Sequence, residues 1–534
     1  MIWTLLAAGL ICILALVYNT TRHPKLHRNG QKLKRPTGTL PLLGNAIHFL
    51  KPRHVLFDWF VKCQKKFGKE TFEITVPSFP PGVVINSAEN LEFVLKNEAS
   101  ITKGEFFRER SWDLFGYGII NATGDLWRAQ RKAGLKFFSG ANLDILVEDV
   151  LPEVYDDTRK QLLQAAKEGS IIDLQQVFLD LTTSVVGHMA YDASPLQSLM
   201  EISASSPFSK AFDHASGHIG IRFQNPLYWL TELFTGAEFR ASLAEVKRFG
   251  RQIVANARKR RARAAFESLI TNDQTPSEEA SAFGSLIDSL IEAFAAPQVV
   301  ADAALNFLSA GRDTTAQSFT WTFYALMRHP EALRQLRDEL DSKFTYSGDP
   351  EDLQGNDEDK DGYHISIDRL DMASLQPTFL PLTVATFYEA LRLYPPVPFE
   401  LKQTSEAVTL PDGTFLPDGA IVVWCIYALN RSTETFGSDA HQFRPHRWLD
   451  NQARLVPKST FEFPVFNGGP RACLGKKMAE VMAVWVMAKM WMEWDFDEVV
   501  SQHERGKERV SANSLTLPME GGLPCRVKVR DKKL

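Results

Sequence analysis

Hydrophobic positions are spread unevenly along the chain. Met1 to Tyr18 (MIWTLLAAGLICILALVY) carry no charge. As a helix rising 1.5 Å per residue they reach about 27 Å, close to the roughly 30 Å apolar core of a bilayer, and the uncharged Asn19 to Thr21 extend them. Basic residues come after the run, not before it: Arg22, Lys25, Arg28, Lys32, Lys34 and Arg35. A cleaved signal peptide puts its positive charge first, whereas this order predicts a single transmembrane helix over 1–21 with the body held on the cytosolic side. Residues 22–45 are basic and contain Pro36 and Pro41, which predicts a stiff linker. Residues 46–534 remain for one large body.

Within that body, Val299 to Met327 is apolar on most faces and contains no proline. The pattern predicts a buried helix of roughly 43 Å, long enough to cross a domain. Asp302, Arg312 and Asp313 argue against a second membrane span, because charge is costly in lipid. The helix should stop before Pro330, which suits the first turn of the next one, EALRQLRDEL. Strand-like runs are short: Thr71 to Val76, Val83 to Asn86 and Ala420 to Cys425, with a hairpin predicted around Gly521-Gly522. The expected class is mainly α with small β-sheets. The lack of a strand–helix repeat disfavours a doubly wound sheet.

Composition narrows the function. In 534 residues, 44% are hydrophobic, 23% are charged and the net charge is −4, so a globular body with no nucleic-acid partner is expected. Five cysteines (Cys12, Cys63, Cys425, Cys473, Cys525) show neither a CxxC pair nor a disulfide pattern. No GxGxxG follows a strand, and no GxxxxGK[ST] occurs. Asp349 to Asp361 reads as an acidic loop, and Arg258 to Arg261 as a solvated basic helix face.

The chemistry concentrates around Cys473, in Phe466-Asn467-Gly468-Gly469-Pro470-Arg471-Ala472-Cys473-Leu474-Gly475. The following KKMAEVMAVWVMAKMW has helical period. Cys473 therefore lies at or just before a helix N-terminus, where unpaired N–H groups and the macrodipole favour a thiolate. Gly469 and Gly475 permit close approach of something bulky, and Arg471 suits an anionic ligand group. Further upstream lie Trp127-Arg128-Ala129-Gln130-Arg131, Ala310-Gly311-Arg312-Asp313-Thr314-Thr315, Glu389-Ala390-Leu391-Arg392 and Phe443-Arg444-Pro445-His446-Arg447-Trp448. Helical spacing pairs Trp127 with Arg131 and Glu389 with Arg392. Small Ala310 and Gly311 would permit close approach to the central helix, while Asp313 and Thr314 can exchange protons.

These segments, in this order, resemble the cytochrome P450 family, through F-x-x-G-x-R-x-C-x-G, [AG]-G-x-[DE]-T-[ST], E-x-x-R and W-x-x-x-R. The likeness runs from about Pro36 onward and is to the microsomal type. It implies the cytochrome P450 fold and a haem (iron protoporphyrin IX) whose iron is ligated by Cys473. It implies that Trp127, Arg131, Lys402, Phe466, Gly469, Arg471 and Gly475 bind the cofactor, that Asp313 and Thr314 are catalytic, and that Glu389, Arg392 and Arg447 are structural. Lys402 stands where many relatives carry arginine, and His446 where the usual residue is glutamate. The resemblance implies O₂-dependent hydroxylation of a lipophilic substrate, with electrons from an NADPH–cytochrome P450 reductase, cytochrome b5 as a further donor, and an endoplasmic reticulum membrane location. Lys476, Lys477, Arg128 and Lys132 are candidates for the reductase face.

LFGYGIINATGDLWRAQRK and the region around Phe208, Phe212, Phe223, Tyr228 and Trp229 resemble fungal and plant fatty-acid and alkane hydroxylases. This implies a long-chain acid or n-alkane oxidised at or near its terminus, with Phe115, Ala310, Phe399 and Leu515 as substrate contacts. Those five aromatic residues could equally be core. Hydroxylation of an aromatic or terpenoid secondary metabolite, a haem-thiolate isomerase or dehydratase, and a non-enzymatic haem carrier or sensor are the alternatives.

Overall fold

The computed structural model describes residues 26–191, 206–271, 285–345, 365–500 and 506–531, with residues 3–4, 7–13 and 15. Most of the predicted anchor and the whole Asp349–Asp361 run lie outside the described residues. Residues 7–13 are helical, with Leu10, Ile11 and Ile13 exposed. Among the described residues, no helix is long and apolar enough to cross a membrane.

Among the described residues the body is a helical array with four small sheets. Its main helices are α1 (Arg53–Phe67), α2 (Ala88–Lys96), α3 (Gly104–Phe115), α4 (Gly124–Phe137), α5 (Leu174–Tyr191), α6 (Pro207–Gln224) and α7 (Tyr228–Thr271). They are followed by α8 (Pro297–Arg328), α9 (Pro330–Asp341), α10 (Pro381–Leu393) and α11 (Lys476–Glu493). The predicted central helix is α8. It is buried along almost its whole length, as an all-round apolar pattern requires. Pro330 opens α9, where its missing N–H costs no helical bond.

One point on α8 adds to the sequence reading. A Cβ on Gly311 would lie 2.8 Å from Cγ2 of Val186 on α5. Gly311 therefore also serves helix–helix approach, while both Ala310 and Gly311 line the interior cavity. Nearby, the Thr182 hydroxyl on α5 donates to the Arg312 carbonyl (3.1 Å), which pins the two helices together.

The largest sheet has five strands in the order 72–74, 82–84, 421–424, 400–404, 101–102. The segment read as a linker joins the body earlier than expected. His27–Arg28 and Gln31–Lys32 pair with one another, and His27–Arg28 also with Thr414–Leu416. Leu26 and Leu33 are buried, while Arg28 and Lys34 are bound by Glu70 and Arg35 by Glu73. The hairpin predicted around Gly521-Gly522 does not form as a two-strand unit. Pro524–Val529 instead lies between Trp494–Glu498 and Ile171–Asp173. The two glycines do make a turn, both at positive φ. Arg260 and Arg261, from the basic run, donate to the Tyr191 carbonyl and to Asp288 and Glu292.

Candidate active site

Cys473 is placed by a tightly folded loop. Single 3₁₀ turns at Pro464–Phe466 and Gly469–Arg471 bend the chain back on itself. The Cys473 N–H then donates to the Phe466 carbonyl (2.8 Å), and α11 begins three residues later. Gly469 has φ +63°, and a Cβ there would sit 2.3 Å from the Leu95 carbonyl oxygen. The close neighbour that demands glycine is thus the end of α2, and Gly469 is not on the cavity wall.

The sulfur opens onto an apolar cavity of about 470 Å³, walled by α8, the cysteine loop, α1, α3 and the 513–516 segment. Away from bulk water, burial pushes the Cys473 thiol up from its ordinary value, opposed by the Gly475 N–H and the Arg131 charge. Trp127, Arg131, Phe466, Arg471 and Gly475 lie on this wall, as do Phe115, Ala310, Asp313, Thr314, Phe399 and Leu515. A chain segment far from Cys473 in sequence is thereby brought opposite it: Ala310 to Thr314 of α8. The Thr314 hydroxyl donates to the Ala310 carbonyl (2.6 Å).

Lys402 is not on the wall. It is buried on the 400–404 strand, where its ammonium pairs with Glu98 (2.7 Å) and donates to the Val94 carbonyl. The other Glu98 oxygen accepts from Arg471 Nε (2.7 Å), so one carboxylate positions both Lys402 and Arg471. Arg471 also donates to the Ala122 carbonyl and stacks over Trp127, 4.6 Å from the ring centroid. Arg131 donates to the Ala472 carbonyl (2.9 Å) and lies over the same indole. No carboxylate among the described residues pairs with Arg131.

Asp313 is buried and bonded to Arg312 (2.5 Å), which also reaches Asp213 on α6 (2.7 Å). Burial raises the Asp313 carboxyl to about 6, with Arg312 opposing. Behind the cysteine loop, Glu389 accepts from Arg392 Nε and Nη2 (both 2.8 Å), Arg447 Nε (2.9 Å), the Trp448 indole (2.9 Å) and the Arg444 amide (2.8 Å). Arg392 also caps the carbonyls of Asn430, Ala440 and Gln442. His446 occupies the turn without joining this cluster.

The aromatic residues near α6 divide between the two readings. Phe212 and Phe223 line the cavity, whereas Phe208 stacks on Phe249 in the core (4.1 Å). Tyr228 lies against Arg110 and Arg222, and Trp229 is 58% exposed. Glu98 and Asp213 were not found by sequence reasoning. They stand 373 and 99 residues from their partners, and no local spacing marks them.

A flat, anionic macrocycle with a metal centre suits this arrangement. It needs a soft ligand on one face, cations at its edge and a small residue opposite, and Cys473, Arg131 with Arg471, and Ala310 supply these. The Arg131 guanidinium, half-buried beside a second guanidinium and lacking a carboxylate, has need of an anion.

A family model described as cytochrome P450 matches residues 34–521. The chain belongs to the cytochrome P450 family. Among its P450 relatives, cytochrome P450 CYP94D109 of Paris polyphylla is 32% identical over 84% of this chain and 86% of its own length. Cytochrome P450 86B1 of Arabidopsis thaliana is 32% identical over 83% of this chain and 76% of its own. The fungal cytochrome P450 monooxygenase cyp1 of Mycosarcoma maydis is 28% identical over 93% and 76%. The P450 family binds haem and takes its electrons from a redox partner, so the chain is a haem-thiolate monooxygenase acting on lipophilic substrates.

Proposed function

We propose that this monooxygenase hydroxylates a long-chain fatty acid or n-alkane at or near the chain terminus. The observation that carries the reading is an apolar cavity joining the Cys473 sulfur and the Ala310–Thr314 face of α8 to a wall of Phe115, Phe212, Phe223 and Phe399. Such a wall offers a methylene chain dispersion contact and few polar anchors along its length.

In this reading Cys473 would ligate the haem iron. Arg131, Arg471 and Trp127 would hold its carboxylates, with Glu98 and Lys402 positioning Arg471. When bound, the haem supplies O₂ activation, inserting one oxygen atom into a C–H bond while the other leaves as water. Phe115 and Phe399 would orient the chain end, Leu515 lines the cavity beside Arg53, and Ala310 leaves space on α8 for the cofactor. The Thr314 hydroxyl, on the cavity wall, holds a proton at Oγ1 that it donates to the Ala310 carbonyl. Asp313 takes up and releases protons near neutrality, and its link through Arg312 to Asp213, whose side chain is 48% exposed, leads toward solvent. Apolar rings exclude bulk water, so protons travel by these groups. Electrons come from an NADPH–cytochrome P450 reductase docking near Lys476, Lys477, Arg128 and Lys132, with cytochrome b5 as a second donor. Residues 1–21 anchor the chain in the endoplasmic reticulum membrane.

Reconstitution with a microsomal reductase, NADPH and dodecanoate, followed by mass analysis, tests the substrate. A hydroxydodecanoate oxidised at or near the last carbon is expected. No hydroxylated acid or alkane, with turnover of an aromatic or terpenoid compound instead, refutes the reading.

A further inference from the structure

Six charged residues line the cavity: Arg53, Lys103, Arg131, Asp313, Glu400 and Arg471. Four are matched by opposite charge. Lys103 pairs with Glu400 (2.8 Å), Arg471 with Glu98 and Asp313 with Arg312. Arg131 stands beside Cys473 and belongs to the cofactor. That leaves Arg53, the first residue of α1, which is 9% exposed and has no carboxylate partner among the described residues. Burying a guanidinium without a counter-charge is expensive. The strain appears in its proton affinity, which burial lowers to about 9.

The hydrogen-bond count is just as uneven. Nη1 donates to the Ser514 and Thr516 carbonyls, and Nη2 to that of Leu515 (3.3 Å). A guanidinium has five N–H donors in a fixed fork. The Nε–H and one Nη2–H have no acceptor among the described residues. The Nε–Nη2 side of the fork is the edge that takes a carboxylate in bidentate fashion. The carbonyls and the Phe57 ring, 5.1 Å away, hold the fork in place. Arg110, the other buried arginine without an ion pair among the described residues, is wedged among Phe79, Phe106 and Tyr228 and is not on the cavity wall.

We infer that Arg53 is the carboxylate-binding residue of the substrate cavity, so that this enzyme selects chain acids over alkanes and esters. This rests on the chain-hydroxylation reading above and decides between its two substrate classes. The acid head is held among Arg53, Phe57 and the 514–516 segment, and the apolar tail extends toward Cys473. The carboxylate accepts from the Nε/Nη2 edge and neutralises the buried charge.

The test uses the haem-loaded full chain titrated with dodecanoate and, separately, methyl dodecanoate. Binding is read from the substrate-induced shift of the haem absorption. Arg53→Gln should weaken dodecanoate binding about 10- to 100-fold, the loss of a charge-assisted pair, while changing the ester's Kd less than twofold. Arg53→Lys, which keeps the charge but not the fork, should fall between and serves if the glutamine variant does not load haem. Unchanged dodecanoate binding in the variants, or equal loss for acid and ester, overturns the assignment and makes Arg53 a brace for residues 514–516. Wild-type protein that takes the ester and rejects the acid overturns this inference alone. Wild-type protein that binds neither overturns the chain-substrate reading as well.

Discussion

Removing the Glu389 carboxylate should damage the whole body, although it lies behind the cysteine loop and off the cavity wall. Five donors converge on its two oxygens, and both Glu389 and Arg392 are fully buried. In Glu389→Ala the Arg392 and Arg447 guanidiniums lose their counter-charge, and the Trp448 indole and the Arg444 amide lose an acceptor. Breaking a buried pair from one side costs about 3–5 kcal/mol, against a typical total of about 5–15 kcal/mol. With an unfolding slope of about 3 kcal/mol per molar urea or steeper for a body this size, the midpoint should fall by about 1 M. The assay is urea unfolding of the haem-loaded protein, followed by tryptophan fluorescence and by haem release. A double-mutant cycle with Arg392→Ala isolates the pair. Coupling of at least about 1.5 kcal/mol is expected, because the second deletion removes a charge the first had stranded. Single and double variants that add within about 0.5 kcal/mol, or a Glu389→Ala midpoint equal to wild type, would refute this reasoning.

Two further outcomes follow from the site. Asp313 is raised to about 6 by burial, against an ordinary value near 4. Between those values the folded protein binds the extra proton. This group's stabilising contribution is therefore full below about pH 4 and is lost as pH rises through about 6. Asp313→Asn should flatten the stability slope in that window and remove an inflection near pH 6 from NADPH-coupled product formation; an unchanged pH profile would exclude Asp313 from proton transfer. Gly469→Ala meets both a positive φ and the Leu95 carbonyl, so a loss of at least about 2 kcal/mol in urea unfolding is expected, together with lower haem content. Wild-type stability in that variant would show that the turn yields at little cost.

What the sequence disclosed was what is local. Cys473 and its glycines, the Glu389–Arg392 pair and the Trp127–Arg131 pair sit within one loop or one helix face, so spacing alone brings them together. The long helix was legible because nearly every face of it is apolar. Partners set by tertiary contact were not legible. Gly311 lines the cavity as its size suggested, but its close approach to Val186 on α5 was not visible. Gly469 answers to Leu95, and Lys402 reaches Glu98 instead of the cavity. The Gly521-Gly522 turn was visible, but the strand after it pairs with residues 494–498 and 171–173, and no local pattern encodes that register. Arg53 carried no motif. Its interest lies in the missing counter-charge, which only the packed cavity reveals.

The most direct test of the account is the carbon-monoxide spectrum of the reduced protein. Wild type should take up haem and give the red-shifted band of a thiolate-ligated iron, and Cys473→Ser should lose that band. A Cys473→Ser protein with an unchanged band, or a wild-type chain that takes up no haem, would contradict it.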